Sequence, residues 1–261
     1  MIHDAIIIIP ARLHSSRLPK KVLLDLGGVP MVVRSANNAR RMMPGFRSPQ
    51  LLVATDSAEV AAVCEHHAIQ VVMTGECRTG TDRVAEAYQT YATETGNTAQ
   101  CVIGLQADEP LMHADCARTL YRHLLGHNGG HKCVCGMAKI SAEEAAQNSV
   151  GTVAVADDGR LLYVTRGTIP ATKDGGTKRT ADEYLTEVCI RAFRPTTLED
   201  FGRLPQGLLE RTEDIEILRL VEHGIPVYMV QVPGARLAVD TPADLDRMRS
   251  IISTELSGGD A

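Results

Sequence analysis

The segment Pro10-Ala-Arg-Leu-His-Ser-Ser-Arg-Leu-Pro-Lys-Lys21 sets three fixed cations, Arg12, Arg17 and Lys21, directly behind a run of isoleucines. Cations and backbone amides at the end of a buried strand suit a triphosphate, because charge-assisted N–H donors grip phosphate oxygens more strongly than neutral ones. A solvated basic loop is the plain alternative; the preceding strand and the bracketing Pro10 and Pro19 argue for a built anion site. The loop is not a Walker A motif, since the Gly-x4-Gly-Lys pattern is absent. Two acidic motifs complement it. In Gln106-Ala-Asp-Glu-Pro110, behind another apolar stretch, Asp108 is placed to offer Mg²⁺ a carboxylate oxygen. That ion takes one or two carboxylates and completes its shell with phosphates and waters. In Val239-Asp-Thr-Pro-Ala-Asp-Leu245, Asp240 offers a second carboxylate. Each has a structural alternative. Acidic residues at strand ends often cap helices, and Asp240 or Thr241 would cap a helix with Pro242 in its first turn.

The elements that must hold these residues follow from periodicity. Ala5–Ile9 is a continuous β-branched run, the pattern of a strand buried on both faces of a parallel sheet. Residues 51–54, 69–73 and 101–105 predict three more strands. Helices are predicted over 30–41, 57–67 (capped by Asp56 or Ser57) and 81–93. This alternation predicts a doubly wound α/β sheet, where ligands sit at the carboxyl ends of the strands. The loops 10–21, 74–83 and 106–110 all emerge there. Beyond residue 150 the pattern changes. Gly151–Val164 alternates around Asp157-Asp-Gly159, a hairpin turn, and 171–182 is a polar loop with Gly and Lys. A strand is expected over 188–193, one helix over 208–222, a strand over 226–232, and a last helix from Asp240 through Ile252. We read one domain over 1–261, with a smaller β-rich subregion at about 150–206.

Composition narrows the partners. A net charge of −5 and 3% aromatic residues without Trp disfavour nucleic acid, which needs a basic field and stacking surfaces. No apolar run approaches the ~20 residues that cross a bilayer. Seven Cys, only Cys133 and Cys135 close together, form no zinc-type pair of motifs and fit a reduced, cytoplasmic chain.

Taken in order, Pro10-Ala-Arg-x4-Arg-Leu-Pro-x-Lys21, Val53-Ala-Thr-Asp56, Thr79-Gly-Thr-Asp-Arg83, Gln106-x-Asp-Glu-Pro110, Arg166-x-Thr-Ile-Pro170 and Val239-Asp-Thr-Pro242 resemble the 3-deoxy-manno-octulosonate (Kdo) cytidylyltransferases, or CMP-Kdo synthetases. The resemblance runs over about residues 5–250. It implies a nucleotide-diphospho-sugar transferase fold, Rossmann-like with helices on both faces of a mostly parallel sheet, plus a small β-rich dimerisation and acceptor region. It also implies CTP, Mg²⁺ and a homodimer. The family pattern sets Pro10, Ala11, Arg12, Arg17 and Lys21 on CTP, the three cations on its phosphates. Thr79, Gly80 and Arg83 go around the cytidine and acceptor, Gln106 to CTP and acceptor, and Asp108 and Asp240 to Mg²⁺. Arg166, Glu187, Arg191, Glu210 and Glu213 are carried to the acceptor; Glu210, Glu213 and Glu216 match a family helix with Glu spaced three apart. The implied reaction is in-line attack of an acceptor oxygen on the α-phosphorus with loss of pyrophosphate.

The departures cluster where the family reads its sugar. Ala107 replaces the Gly of Gln-Gly-Asp-Glu-Pro. Glu187-Val-Cys-Ile-Arg-Ala-Phe193 replaces His-Leu-Gly-Ile-Tyr-Gly-Tyr, so Glu187 stands at the His and Arg191 at the first Tyr. Gly207-Leu-Leu-Glu210 replaces Ser-Pro-Leu-Glu. A fixed cation for a neutral hydroxyl suits a smaller, more anionic acceptor, such as phosphonoformate. Kdo or a related 2-keto sugar acid therefore competes with a phosphonate as the expected acceptor. A non-catalytic nucleotide-binding relative is a third reading, opposed by the retention of Arg12, Arg17, Lys21, Asp108 and Asp240.

Overall fold

The computed structural model describes residues 1–15, 17–126, 131–171, 173, 184–234 and 238–258. The chain forms two compact units, one of Met1–Ala114 with Ala235–Ala261, the other of Asp115–Gly234. The second unit encompasses the 150–206 subregion and extends beyond it at both ends. Most of the 171–182 loop lies outside the described residues.

The first unit is built on β1 (Ile2–Pro10), β2 (Gln50–Thr55), β3 (Val71–Met73) and β4 (Thr98–Leu105). They lie in the order β3-β2-β1-β4, every pair parallel, with Ile7 opposite both Leu51 and Ile103. Ile6–Ile9 are fully buried, as expected for a central strand. At about 1.5–3 kcal/mol for each fully buried aliphatic side chain, this run anchors the unit. Helices α1 (Met31–Met42), α2 (Ala58–His66) and α3 (Gly80–Thr95) pack against these strands. Ser57 caps α2, its hydroxyl accepting from the Val60 amide at 3.3 Å. Because the strands are parallel, their carboxyl ends share one edge, and residues 11–21, 74–79 and 106–110 leave the sheet there.

The second unit opens with α4 (Asp115–Gly126) and β5 (Cys133–Ile140), neither of which the periodicity above predicts. After the short α5 (Ala142–Ala145), β6 (Thr152–Val155) and β7 (Leu161–Thr165) form the expected hairpin. Gly159 takes the positive φ of 84° that its turn requires. β8 (Tyr184–Phe193) pairs antiparallel with β5, slipping register between Cys135 and Gly136, and it also touches β6. There a Cβ on Gly136 would meet Ile190 Cγ2 at 3.1 Å. Then come α6 (Pro195–Arg203), α7 (Leu208–Glu213), α8 (Leu218–Glu222) and β9 (Val227–Gln231), the last parallel to β5.

The single helix expected over 208–222 is thus two. Asp214 turns into the left-handed region (φ 53°), and Arg166 takes the carbonyls that would have continued the helix. Its Nε donates to Glu213 O at 3.2 Å and its Nη2 to Asp214 O at 3.1 Å. The chain then re-enters the first unit and ends in α9 (Pro242–Gly258). The fold class is the expected one: α/β, with every strand pair of the first unit's sheet parallel.

Candidate active site

The basic loop is seated by its apolar residue. Leu18 packs with Leu26, Met31, Val239, Leu245, Met248 and Ile252, so the start of the chain and the start of α9 share one apolar cluster. This brings the polar neighbours of Leu18 and Val239 together. Arg17 Nη2 donates to Asp240 Oδ1 at 3.1 Å. The Val239 amide donates to Asp108 O at 2.9 Å, setting the two acidic segments side by side. Upstream, the Ala11 amide donates to Ala54 O at 2.8 Å, so Pro10 and buried Ala11 continue the sheet and exposed Arg12 is the first residue clear of it.

Lys20 and Lys21 go separate ways. Lys20 adopts the left-handed conformation (φ 54°), uncommon for a residue with a side chain, and its ammonium meets both Glu59 carboxylate oxygens at 2.8 Å. Lys21 begins a 3-10 turn, Lys21–Leu23. Its Nζ lies 2.6 Å from Asp108 Oδ2 and 3.4 Å from Asp240 Oδ1. Carboxylates 132 positions apart by number therefore flank one cation, whose side chain is only 14% exposed. The cap alternative for Asp240 is resolved by its neighbours. Thr241 Oγ1 accepts from the Asp244 amide at 3.2 Å, and the Asp244 carboxylate accepts from the Asp240 and Thr241 amides at 3.1 and 2.8 Å. Thr241 and Asp244 cap α9; the Asp240 carboxylate faces Arg17 and Lys21. Nor does Asp108 cap a helix: a turn follows it, with Glu109 N donating to Gln106 O at 3.3 Å. Hard oxygens on two carboxylates, held around a positive charge, are the donor type magnesium takes. Among the described residues, no cluster of three or more His, Cys, Asp or Glu offers a metal cage.

The segment expected around the cytidine has structural duties. Thr79 caps α3, its Oγ1 accepting from the Asp82 amide at 3.1 Å, and Gly80 is the first helical residue. Arg83 is buried; its Nη2 donates to Asp56 Oδ2 at 2.7 Å and its Nη1 to Thr74 Oγ1. It braces α3 against the ends of β2 and β3, and Asp56 is its counter-charge, since Ser57 caps α2. Glu86, which sequence reasoning missed, accepts from the Gly75 amide at 2.6 Å and holds the same loop. Its spacing of three from Arg83 on α3 is the available signal. Burial and a hydrogen bond to Glu86 push the Cys77 thiol up to about 12, which removes it as a nucleophile.

In the second unit the residues expected at the acceptor are held in ion pairs and hydrogen bonds within that unit. Arg191 is buried, and its Nε and Nη1 donate to Glu187 at 2.7 Å and Glu216 at 2.6 Å. Burial alone would lower the Arg191 pKa, but the two carboxylates hold it well above its usual value. Glu210 accepts both Nε and Nη2 of fully buried Arg219 at 2.8 and 2.6 Å. Glu213 accepts the Arg166 amide and the Thr165 hydroxyl, both at 2.8 Å, and the Tyr163 hydroxyl at 3.2 Å. Arg191 is thus no open anion fork; its charge is matched twice. Gln106, in the first unit, is half-buried at the end of β4.

A model of the Cytidylyltransferase family matches residues 6–229. A 3-deoxy-manno-octulosonate cytidylyltransferase from Anaeromyxobacter sp. (strain Fw109-5) is 36% identical over 95% of this chain and 96% of its own length. The chain belongs to the cytidylyltransferase family. Another relative of that name, from Chelativorans sp. (strain BNC1), is 37% identical over 95% of this chain and 97% of its own. The solved CMP:2-keto-3-deoxy-manno-octonic acid synthetase complexed with CTP superposes with a TM-score of 0.84 at 32% identity, covering 96% of this chain and 99% of that one. A cytidylyltransferase from Leptospira borgpetersenii shares the fold, with a TM-score of 0.60 at 16% identity. Membership makes the chain a CTP-dependent nucleotidyltransferase. No helix among the described residues is long and apolar enough to cross a membrane.

Proposed function

We propose that this cytidylyltransferase moves CMP from CTP to 3-deoxy-manno-octulosonate or a closely related 2-keto sugar acid, with Mg²⁺ bound by Asp108 and Asp240, and that it works as a cytoplasmic homodimer. The observation that carries the reading is the convergence of Arg17, Lys21, Asp108 and Asp240, set beside relatives and a CTP-bound structure named for this sugar acid. Seven free cysteines suit the reducing compartment.

Arg12, Arg17 and Lys21 would hold the triphosphate, fixing the α-phosphorus for in-line attack and neutralising charge on the departing pyrophosphate. Magnesium, when bound, would supply Lewis-acid polarisation of the phosphates. Asp108 and Asp240 would orient it from two segments already joined through the Val239 amide. An acceptor oxygen that is already acidic needs little help from a base.

The case for a phosphonate rested on Arg191, and that cation is matched by Glu187 and Glu216. Pyrophosphate release from CTP, assayed with Kdo, other 2-keto sugar acids and small phosphonates, tests the reading. Efficient use of Kdo is expected. Turnover confined to phosphonates would overturn the acceptor, and metal-independent turnover would overturn the role of Mg²⁺.

A further inference from the structure

We propose that Lys21 is a built-in placeholder for the metal, so that metal and nucleotide load in a coupled event in which the Lys21 ammonium passes from the two carboxylates to the triphosphate. The inference rests on the reading that Asp108 and Asp240 take the ion. Lys21 Nζ contacts both carboxylates, at 2.6 and 3.4 Å, and so occupies the position between them that a shared cation needs. Arg17 also meets Asp240, but its side chain is 60% exposed against 14% for Lys21; the lysine is the group held in place.

A dication on these carboxylates would stand a few ångströms from the ammonium, and their repulsion weakens metal binding for as long as the lysine stays. A triphosphate removes the conflict from both sides, giving the ammonium new oxygens and completing the metal's shell. The surroundings permit the exchange without moving the backbone. The Lys21 amide donates to Leu18 O at 3.1 Å, Leu18 is fixed in the apolar cluster, and Lys20 is tied to Glu59. A lysine suits the task because its ammonium is a point charge on a flexible stem, whereas an arginine fork is bound to one planar geometry. By linkage the coupling is reciprocal: whatever factor bound nucleotide adds to metal affinity, bound metal adds to nucleotide affinity.

The test measures binding of Mn²⁺ alone to the full-length protein by electron paramagnetic resonance, without nucleotide. Lys21→Met is expected to bind Mn²⁺ about tenfold or more tighter than wild type. Adding Asp240→Asn to it should abolish the gain. Lys21→Gln, which keeps a hydrogen bond to the carboxylates, should show the same direction and serves if Lys21→Met does not fold. Folded neutral variants with wild-type Mn²⁺ affinity would overturn the placeholder. A separate titration of wild type and Asp240→Asn with Mn²⁺ and CTP together distinguishes this from failure of the metal reading. If the Asp240→Asn ternary complex binds the ion as wild type does, Asp240 is no ligand and both readings fall. If it loses the ion while Lys21→Met shows no gain, the placeholder alone falls.

Discussion

Asp108 and Asp240 differ in their partners from several other acidic residues of the first and second units. Glu59 ties down Lys20, Asp56 balances Arg83, and Glu210 balances Arg219, each in a bracing role. Asp108 and Asp240 instead share Lys21 on the edge where the basic loop leaves the sheet. Asp108→Asn and Asp240→Asn should each lower the rate of pyrophosphate release on the order of 10²-fold or more, with little change in the unfolding midpoint followed by circular dichroism. An active but easily melted Asp240→Asn would return that residue to a structural role. Glu213 makes the opposite case. Burial alone would raise its carboxyl, yet the Arg166 amide and the Thr165 and Tyr163 hydroxyls hold it below the usual range. A carboxyl lowered by folding stabilises the native state above its unfolded pKa, and the contribution is lost as pH falls through the folded value. Glu213→Gln should therefore be less stable than wild type at neutral pH, the gap narrowing below roughly pH 4. Denaturant titrations across that range check it; a gap that widens toward acid would refute it.

Among the elements, helix ends decide which side chains remain available for chemistry. α9 is capped by Thr241 with Asp244, which releases the Asp240 carboxylate toward the cations. Thr241→Ala should cost about 1 kcal/mol of stability, typical of a lost cap, and leave kcat near wild type. Measured beside Asp240→Asn, it separates cap from ligand at adjacent positions. α7 is ended rather than started by its partner: Arg166 takes its last carbonyls, and Asp214 turns the chain. The same contacts commit Arg166 and Glu213 to joining β7 and α7. α4 was open to discovery, since Cys116, Leu120 and Leu124 recur at helical spacing and are all buried. β5 was harder: Gly136 and Lys139 interrupt its apolar run, and Gly136 is required by the close approach of Ile190 and Val232.

At the scale of the whole molecule, the first unit is assembled from two stretches separated by the entire second unit. Its cation-and-carboxylate cluster uses both stretches, so ligand binding there favours the folded first unit through linkage. CTP with Mg²⁺ should raise the melting midpoint, the stabilisation reaching about 2.7 kcal/mol when free ligand is 100-fold above its Kd. ATP, GTP and UTP should give smaller shifts, and Asp240→Asn should lose most of the metal-dependent part. Thermal unfolding with each nucleotide, with and without metal, reads all three. Equal shifts from all four nucleotides would contradict selection for cytidine.

Much of the fold was legible in the sequence because the signals are short-range. The isoleucine run specified a strand buried on both faces, Ser57 marked a helix start, and Asp157-Asp-Gly159 marked a hairpin. The motif order placed the basic loop and Asp108 behind strands of one parallel sheet. What the sequence left open were choices between roles that one residue type performs equally well. Asp240 was a cap or a ligand; Arg191 read as an anion fork and 208–222 as one helix, where the structure has a matched charge and two helices. Those alternatives turn on charge compensation and carbonyl capture between residues distant along the chain: Asp240 with Lys21, Arg191 with Glu216, Arg166 with Asp214. A local pattern carries no record of such pairs, because their energy depends on which groups packing brings within a few ångströms and removes from water. Only the tertiary structure shows the pairs: it gives the α9 cap to Thr241 and Asp244, matches Arg191 with Glu187 and Glu216, and divides 208–222 into two helices.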